Sequence, residues 1–341
     1  MLMLDILVIG AGMSGLIAAR ELHKSDYKVA CVEKARGSGG RLSSKRLQIK
    51  HSENMISFDL GCASFDAKTE LFRSQIEQWV SQGVAKIWHY SNASGTQYVG
   101  IPSNSRITRH LADQLDVNFG TRITKIEKVA DFWQASIGEG NTQEIFAQTK
   151  HIVFATPPQQ AADLLPEKHE LKAVLSQPIL LPQWVLMLNI KGSLGLAGDY
   201  REIKGSIISR LILEQGKPER ADNHGHQLWL IHACPDWTSK NLETDKEALT
   251  NSLVSELASI AGTPVIVEDT YLHRWLYAIA QDSALTGRKF LCDGQGLWFC
   301  GDYLADTSRL SGLEAAFTSA YKLSKNFQDQ KRIAQCWFQH L

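Results

Sequence analysis

The clearest chemistry in this chain stands at its beginning. Gly10-Ala11-Gly12-Met13-Ser14-Gly15 follows the apolar run Leu4 to Ile9 and opens a segment, Met13 to His23, whose apolar residues recur at helical spacing. A strand, a G-x-G-x-x-G turn and a helix in that order form the setting in which glycines cradle a dinucleotide. Gly10 permits the tight turn, Gly12 lets N–H groups such as those of Met13 and Ser14 approach a pyrophosphate, and Gly15 lets helix and strand pack closely. Glu33, 23 residues after Gly10 at the end of the next strand (Tyr27 to Glu33), is placed to accept hydrogen bonds from an adenosine ribose. A Gly-rich turn that binds nothing is the alternative, and the two strands, helix and acid together argue against it. They do not separate FAD from NAD.

The next residues bear on that choice. Lys34 and then Arg36-Gly37-Ser38-Gly39-Gly40-Arg41 come directly after Glu33, the glycines able to wrap a second phosphate face and the arginines supplying planar donors. A simple NAD dehydrogenase has no need of such a segment. No second G-x-G-x-x-G follows a strand, so a nicotinamide nucleotide has no Rossmann site of its own. The six cysteines show no C-x-x-C pair, which leaves out a redox dithiol and a zinc finger.

A second cluster lies far downstream. His273, Trp275 and Tyr277 alternate on a predicted strand and share one face, a flat aromatic slot with a proton-handling group at one end; a half-buried strand with core aromatics is the plainer reading. His224 and His226 fall in a polar stretch, Lys217 to Gln227, expected to be a surface loop without a third metal ligand.

Asp66 to Gln82 is a predicted helix stopped at Gly83. Ile123 to Val129, Phe132 to Ile137 and Ile145 to Phe146 form an expected antiparallel meander feeding a buried strand at Ile152 to Ala155, which breaks at Thr156-Pro157-Pro158. Thr244-Asp245-Lys246-Glu247 has a capping-box pattern before a helix closed by Gly262 and Pro264. Leu297 to Cys300 is a predicted strand, and Ser311 to Leu323 the last long helix. The 341 residues carry 36 basic and 36 acidic side chains, so the electrostatic footprint of a nucleic-acid or anionic-membrane binder is missing. No apolar run is long enough to span a bilayer and no secretory leader is seen, which makes a cytoplasmic protein the expectation.

Glu33 through Arg41, Phe58-Asp59-Leu60-Gly61, the strand His151 to Thr156 with its two prolines, and Gly301-Asp302 followed by Ser311-Gly312 together resemble the flavin amine oxidase superfamily. Within it, Tyr98-Val99-Gly100-Ile101-Pro102, Ala155-Thr156-Pro157-Pro158-Gln159-Gln160-Ala161 and His273-Arg274-Trp275-Leu276-Tyr277-Ala278 are similar to renalase and its bacterial relatives. The resemblance spans nearly the whole chain. One departure follows Pro102: Ser103 and Asn104 stand where that pattern has Gly and Met, while Ser105 keeps its place.

The resemblance implies an α/β fold, a Rossmann-like FAD-binding domain of the p-hydroxybenzoate-hydroxylase-like type (residues 1–71, 98–160 and 285–341) with an interleaved α+β substrate domain (72–97 and 161–284). It implies noncovalent FAD, with adenosine on Glu33, adenine near the Ile123 backbone and pyrophosphate between the first helix and Arg41. Gly40, Gly61, Ala155 and Thr156 belong to the same cofactor set. Asp302 after Gly301 would hold the ribityl chain or pyrophosphate, and the helix after Ser311-Gly312 would aim its N-terminus at the flavin's pyrimidine end. His273, Trp275 and Tyr277 become the expected catalytic wall, with Tyr98, Ser105 and Arg274 lining the substrate pocket.

The implied reaction is hydride transfer from a small-molecule substrate to FAD, reoxidised by dioxygen to hydrogen peroxide, the substrate being an isomeric dihydro-NAD(P) returned to NAD(P)⁺. An amine oxidase is the first alternative; it calls for a lysine-held water, with Lys289 and Lys191 as candidates. A noncatalytic FAD-binding protein is the second.

Overall fold

The apolar N-terminal run becomes the strand Leu2–Ile9, buried on both faces from Ile6 onward, as a central parallel strand must be. The computed structural model describes residues 1–48, 55–90, 95–220, 225–310 and 312–338, with side chains as far as 330. The chain divides into two compact units: Met1–Gly40, Thr108–Ile179 and Ala280–Leu341 form the first, Arg41–Ile107 and Leu180–Ile279 the second.

In the first unit, Leu2–Ile9 lies between Val29–Glu33 and Glu144–Phe154 and runs parallel to both, Ile9 facing Val32 on one side and Phe154 on the other. Leu297–Phe299 continues the sheet beyond Phe154, and Val117–Phe119 beyond Val29–Glu33, again in parallel. Helix Met13–His23 crosses back from the first strand, burying Leu16, Ile17, Ala18 and Leu22. Helix Gly312–Phe338 packs against it, and Phe327 meets Tyr27 edge-on with ring centroids 5.9 Å apart. This last helix runs well past the expected end at Leu323.

The meander is realised with one change. Ile123–Val129 and Phe132–Ile137 pair antiparallel as expected, but Ile145-Phe146 and Ile152–Ala155 are not separate strands. They merge into Glu144–Phe154, whose first half pairs with Phe132–Ile137 and whose second half is the parallel neighbour of Leu2–Ile9. A register shift between Ile145 and Ala147 falls within the pairing with Phe132–Ile137. At the end of this strand Pro158 opens helix Pro158–Leu164, where the missing N–H costs nothing.

The second unit holds a five-stranded sheet in the order Tyr200–Glu202, Ile208–Leu213, His226–Ala233, Leu180–Lys191, Val267–Ala280. Alternation along the strands makes two cores. Leu186, Leu188, Trp229 and Ile231 face helix Lys246–Ala261 through Leu249, Leu253 and Leu257; Val185, Met187, Leu228 and Leu230 meet Phe58, Leu60, Trp88 and Val99 on the other face. That second cluster explains why segments 41–71 and 98–107, expected in the FAD-binding domain, group instead with this unit. Residues 161–179, expected in the substrate domain, group with the first.

Two helix starts differ from their predicted form. Asp245, not Thr244, caps Lys246–Ala261, its Oδ1 accepting from the N–H groups of Glu247 at 2.9 Å and Ala248 at 3.1 Å, and Gly262 ends the helix at φ 66°. The helix expected over Asp66 to Gln82 begins at Glu70, because Thr69 is extended and its hydroxyl accepts from the Phe72 N–H. No helix among the described residues is long and apolar enough to cross a membrane.

Candidate functional site

Strand register brings four sequence-distant segments to one edge of the first unit. Ile9, Val32, Phe154 and Phe299 stand opposite one another across adjacent parallel strands. Gly10–Gly15, Glu33, Ala155-Thr156 and Gly301-Asp302 therefore leave the sheet side by side at its carboxyl ends, where open α/β sheets bind ligands.

Close packing accounts for two of the glycines. A Cβ on Gly15 would lie 1.8 Å from the Gly10 carbonyl oxygen, and one on Gly10, at φ 107°, would lie 2.8 Å from that of Ala155. Gly12 is different, since a Cβ there meets nothing within 4 Å and the same holds at Gly37. Gly12 is also the N-cap of helix Met13–His23, and among the described residues no capping side chain bonds its first-turn N–H groups. The second Gly-rich segment comes to the first through the Gly39 N–H, which donates to the Ala11 carbonyl at 3.1 Å.

Glu33 ties these turns together. Its Oε2 accepts from the Ala11 N–H at 2.9 Å and its Oε1 from the Ala35 N–H at 2.8 Å, leaving lone pairs on both oxygens for a ribose. The Thr121 N–H donates to the Glu33 carbonyl at 2.9 Å, which brings the strand beginning at Ile123 toward the same edge. Lys34 reaches Gln160 at 3.0 Å, and Arg36 is exposed. Asp302 is buried in the turn after Leu297–Phe299, and the Gly301 N–H is held by Ser319 Oγ at 3.1 Å. Gly312 begins the last helix at φ 56°; Ser311 lies outside the described residues.

These residues fit a dinucleotide. Among the described residues, Ser38 Oγ and Thr156 Oγ1 are buried hydroxyls without a hydrogen-bond partner, a costly state unless a ligand or water satisfies them. They lie in the two segments that flank the Gly10–Gly15 turn. Nearby thiols are inert, Cys300 being pushed up to about 12 by burial.

Two expected cofactor residues belong to the second unit. Arg41 spends Nη1 on the Ala278 carbonyl at 3.0 Å, and a Cβ on Gly61 would lie 2.4 Å from the Arg41 carbonyl oxygen. On strand Val267–Ala280, His273 meets Trp275 edge-on at 4.6 Å and stacks with Tyr271 at 6.4 Å. His273 Nε2 is a buried atom without a partner among the described residues, and burial, then Lys246 and Lys45, push this imidazole toward its neutral form. Trp275 Nε1 donates to the Leu60 carbonyl at 3.2 Å, and Tyr277 follows on the same face by alternation. Arg274 does not join them: it points to the opposite face, donates to the Leu242 carbonyl at 2.8 Å and covers Trp184. Tyr98 stacks on Phe65 at 6.2 Å, and Ser105 is buried with its hydroxyl 3.0 Å from that of Ser103.

A polar network in this unit had no legible signal. Asp59 Oδ2 accepts from Lys217 Nζ at 3.1 Å and Arg220 Nη2 at 2.6 Å, while its Oδ1 accepts from the Asn104 N–H at 2.8 Å. Glu214 Oε1 takes a second Lys217 bond at 2.6 Å. The stretch beginning at Lys217 is therefore not wholly a surface loop, since the Lys217 and Arg220 side chains are 0% and 3% exposed. Burial opposes the Asp59 charge, but Lys217, Arg220 and the Asn104 N–H hold its pKa down to about 2, whereas burial raises that of Glu214. His226 pairs with Glu268 at 2.7 Å; His224 lies outside the described residues. Asn104, one of the two residues departing from the renalase pattern, bonds the Gly100 N–H and the Cys62 carbonyl and so pins two loops.

Residues 8–74 match the family model of the NAD(P)-binding Rossmann-like domain. Among solved structures, a protein assigned as a protoporphyrinogen oxidase from Exiguobacterium sp. 255-15 superposes with a TM-score of 0.76 at 11% identity, covering 96% of this chain and 99% of that one. The cyclohexylamine oxidase of Brevibacterium oxydans IH-35A gives 0.68 at 11% identity with the same coverage, and a reduced UDP-galactopyranose mutase 0.73 at 11% identity with 96% of each chain. The chain shares their fold, a mixed α/β architecture with a Rossmann-like dinucleotide-binding domain.

Proposed function

We propose that the protein is an FAD-dependent oxidase that takes a hydride from an isomeric dihydro-NAD(P), returning NAD(P)⁺, with dioxygen as the final acceptor. The convergence of Gly10–Gly15, Glu33, Ala155-Thr156 and Gly301-Asp302 on one sheet edge carries the dinucleotide part of this reading. When bound, FAD supplies the hydride acceptor that dioxygen restores, with release of hydrogen peroxide.

The chain's own residues bind and orient. Glu33 accepts from the ribose hydroxyls with the lone pairs that the Ala11 and Ala35 N–H groups leave open. The uncapped first turn at Gly12, Met13 and Ser14 donates N–H groups to phosphate, and Ser38 and Thr156 donate their hydroxyls. Asp302 accepts from ribityl hydroxyls. In the second unit, Trp275 and His273 offer a flat surface to a dihydropyridine, with His273 Nε2 free to bond a polar substituent. A dihydropyridine is electron-rich and loses hydride without a strong base, which suits a neutral imidazole on that surface.

An amine oxidase is the second reading, favoured by the fold shared with cyclohexylamine oxidase. Anaerobic titration of the holoprotein separates the two. Bleaching of the oxidised flavin by isomeric dihydronicotinamide dinucleotides but not by primary or secondary amines is the expected outcome. Bleaching by amines alone overturns it, and a yellow protein that no donor bleaches is a noncatalytic flavin binder. Glu33→Ala and Asp302→Ala should each purify with less flavin, and full occupancy in both removes the cofactor assignment.

A further inference from the structure

Asn104 is 0% exposed, yet both polar atoms of its side chain have partners. Its Oδ1 accepts from the Gly100 N–H at 2.7 Å, and its Nδ2 donates to the carbonyls of Cys62 at 2.6 Å and Ala63 at 3.4 Å. Its backbone N–H is the one bonded to Asp59 Oδ1. On their other side, the N–H groups of Leu60 and Cys62 are tied to the carbonyls of Ser43 at 3.1 Å and Arg41 at 3.0 Å. This one asparagine therefore grips segment 59–63 at Asp59, Cys62 and Ala63, and between those grips lies the Leu60 carbonyl that accepts from Trp275 Nε1 at 3.2 Å. Trp275 is half-buried against the cluster that holds Phe58, Leu60 and Val99, so packing and this single bond set its ring. His273 meets that ring edge-on, the two planes 73° apart.

We propose that Asn104 is a positioning residue for the aromatic surface: it fixes the Leu60 carbonyl, which sets the Trp275 indole, and Trp275 sets the imidazole of His273 beside it. This rests on the reading above, in which that surface meets the substrate ring. An apolar side chain at this position fills space but offers nothing to the Cys62 and Ala63 carbonyls. Buried carbonyls left unbonded are costly, so the segment turns to find other donors, and the Leu60 oxygen lies only two residues from Cys62. A small turn there is felt by a ring against which a donor must lie flat. Asn104 stands at one of the two places where the chain departs from the renalase pattern, and the bonds it makes give that departure a consequence at the substrate surface.

Indole ¹⁵N labelling of the tryptophans in the holoprotein tests this without turnover, the Trp275 signal being identified by its loss in Trp275→Phe. In Asn104→Ala that signal should shift, and its indole hydrogen should exchange with solvent roughly tenfold faster or more, the size of one lost hydrogen bond. The Trp184 indole, bonded to the Asn241 carbonyl at 3.1 Å on the other face of the sheet, should keep its position and its exchange rate. Flavin reduction by the isomeric dihydronicotinamide dinucleotide should slow roughly tenfold or more in Asn104→Ala. Added to Trp275→Phe, the same substitution should slow it no further, since both break one chain of contacts. Asn104→Ser, which keeps a hydroxyl in the same space, gives the same readings where the alanine variant does not fold. An unmoved Trp275 signal, a Trp184 signal that moves with it, or equal slowing in both backgrounds overturns the proposal. Failure of the donor to bleach the flavin removes the hydride-transfer reading instead, and the indole signals still decide the role of Asn104.

Discussion

Arg220 Nη2 lies 2.6 Å from Asp59 Oδ2, and both side chains are buried. The contact joins residues 161 positions apart. Lys217 completes the set from the same loop, and the Asn104 N–H takes the other Asp59 oxygen. Removing one member leaves a charge without its partner, which costs far more than the network contributes relative to an apolar replacement. Asp59→Asn should therefore destabilise the protein by about 3–5 kcal/mol. Urea unfolding measures it, and a loss under about 1 kcal/mol would mean that water reaches Lys217 and Arg220.

Acid should lower the stability of this protein over two pH ranges. Among the described residues the buried His232 has no partner on either ring nitrogen, and burial, then Arg210 and Lys217, hold it down to about 3 from an ordinary 6.5. The unfolded chain takes up that proton first, so the stability this group contributes is full above pH 6.5 and is lost as pH falls toward about 3. Asp59 adds its own loss from about 3.8 toward 2. His232→Leu should flatten the dependence of the urea midpoint between pH 6.5 and 4 while leaving its value at pH 7 no lower, since an unsatisfied polar ring is removed. An unaltered slope would place the titrating group elsewhere.

Gly12→Ala and Gly15→Ala should separate folding from cofactor retention. The Gly15 Cβ falls 1.8 Å from a carbonyl oxygen, so helix and strand must part, and little folded protein is expected. The Gly12 Cβ meets no protein atom within 4 Å, and its φ of −79° suits alanine. That variant should fold, as read by circular dichroism, yet purify with a reduced flavin-to-protein ratio. Full flavin content in Gly12→Ala would move the phosphates away from this turn.

His273→Ala should keep its flavin and slow reduction roughly tenfold or more, the size of one lost polar contact to substrate. Burial and the two lysines keep the imidazole neutral through pH 7, so the wild-type reductive rate should be flat from pH 7 to 8 and fall only where acid protonates the ring. Stopped-flow reduction reads both, and an unchanged rate in the variant takes His273 out of the reaction.

Local spacing was enough to place the dinucleotide turn, Glu33, the strand breaks at Gly10 and Pro157, and the aromatic alternation from His273 to Tyr277, because each follows from a period or from a glycine or proline within a few residues. The segments meeting at the sheet edge were legible one at a time. Ala155-Thr156 and Gly301-Asp302 joined Gly10–Gly15 and Glu33 through parallel register between strands more than a hundred residues apart, which no local pattern encodes. The same limit hid Lys217 and Arg220: a basic, proline-containing stretch reads as solvated, and the distant Asp59, together with Glu214, makes its burial tolerable. Arg274 shows the converse, since alternation alone separates it from its neighbours, while Trp184, from another strand, decides where its guanidinium rests. Sequence determines what a residue can do within its own turn or strand; the tertiary structure decides which distant charge, carbonyl or ring it meets, and so whether that capacity is used.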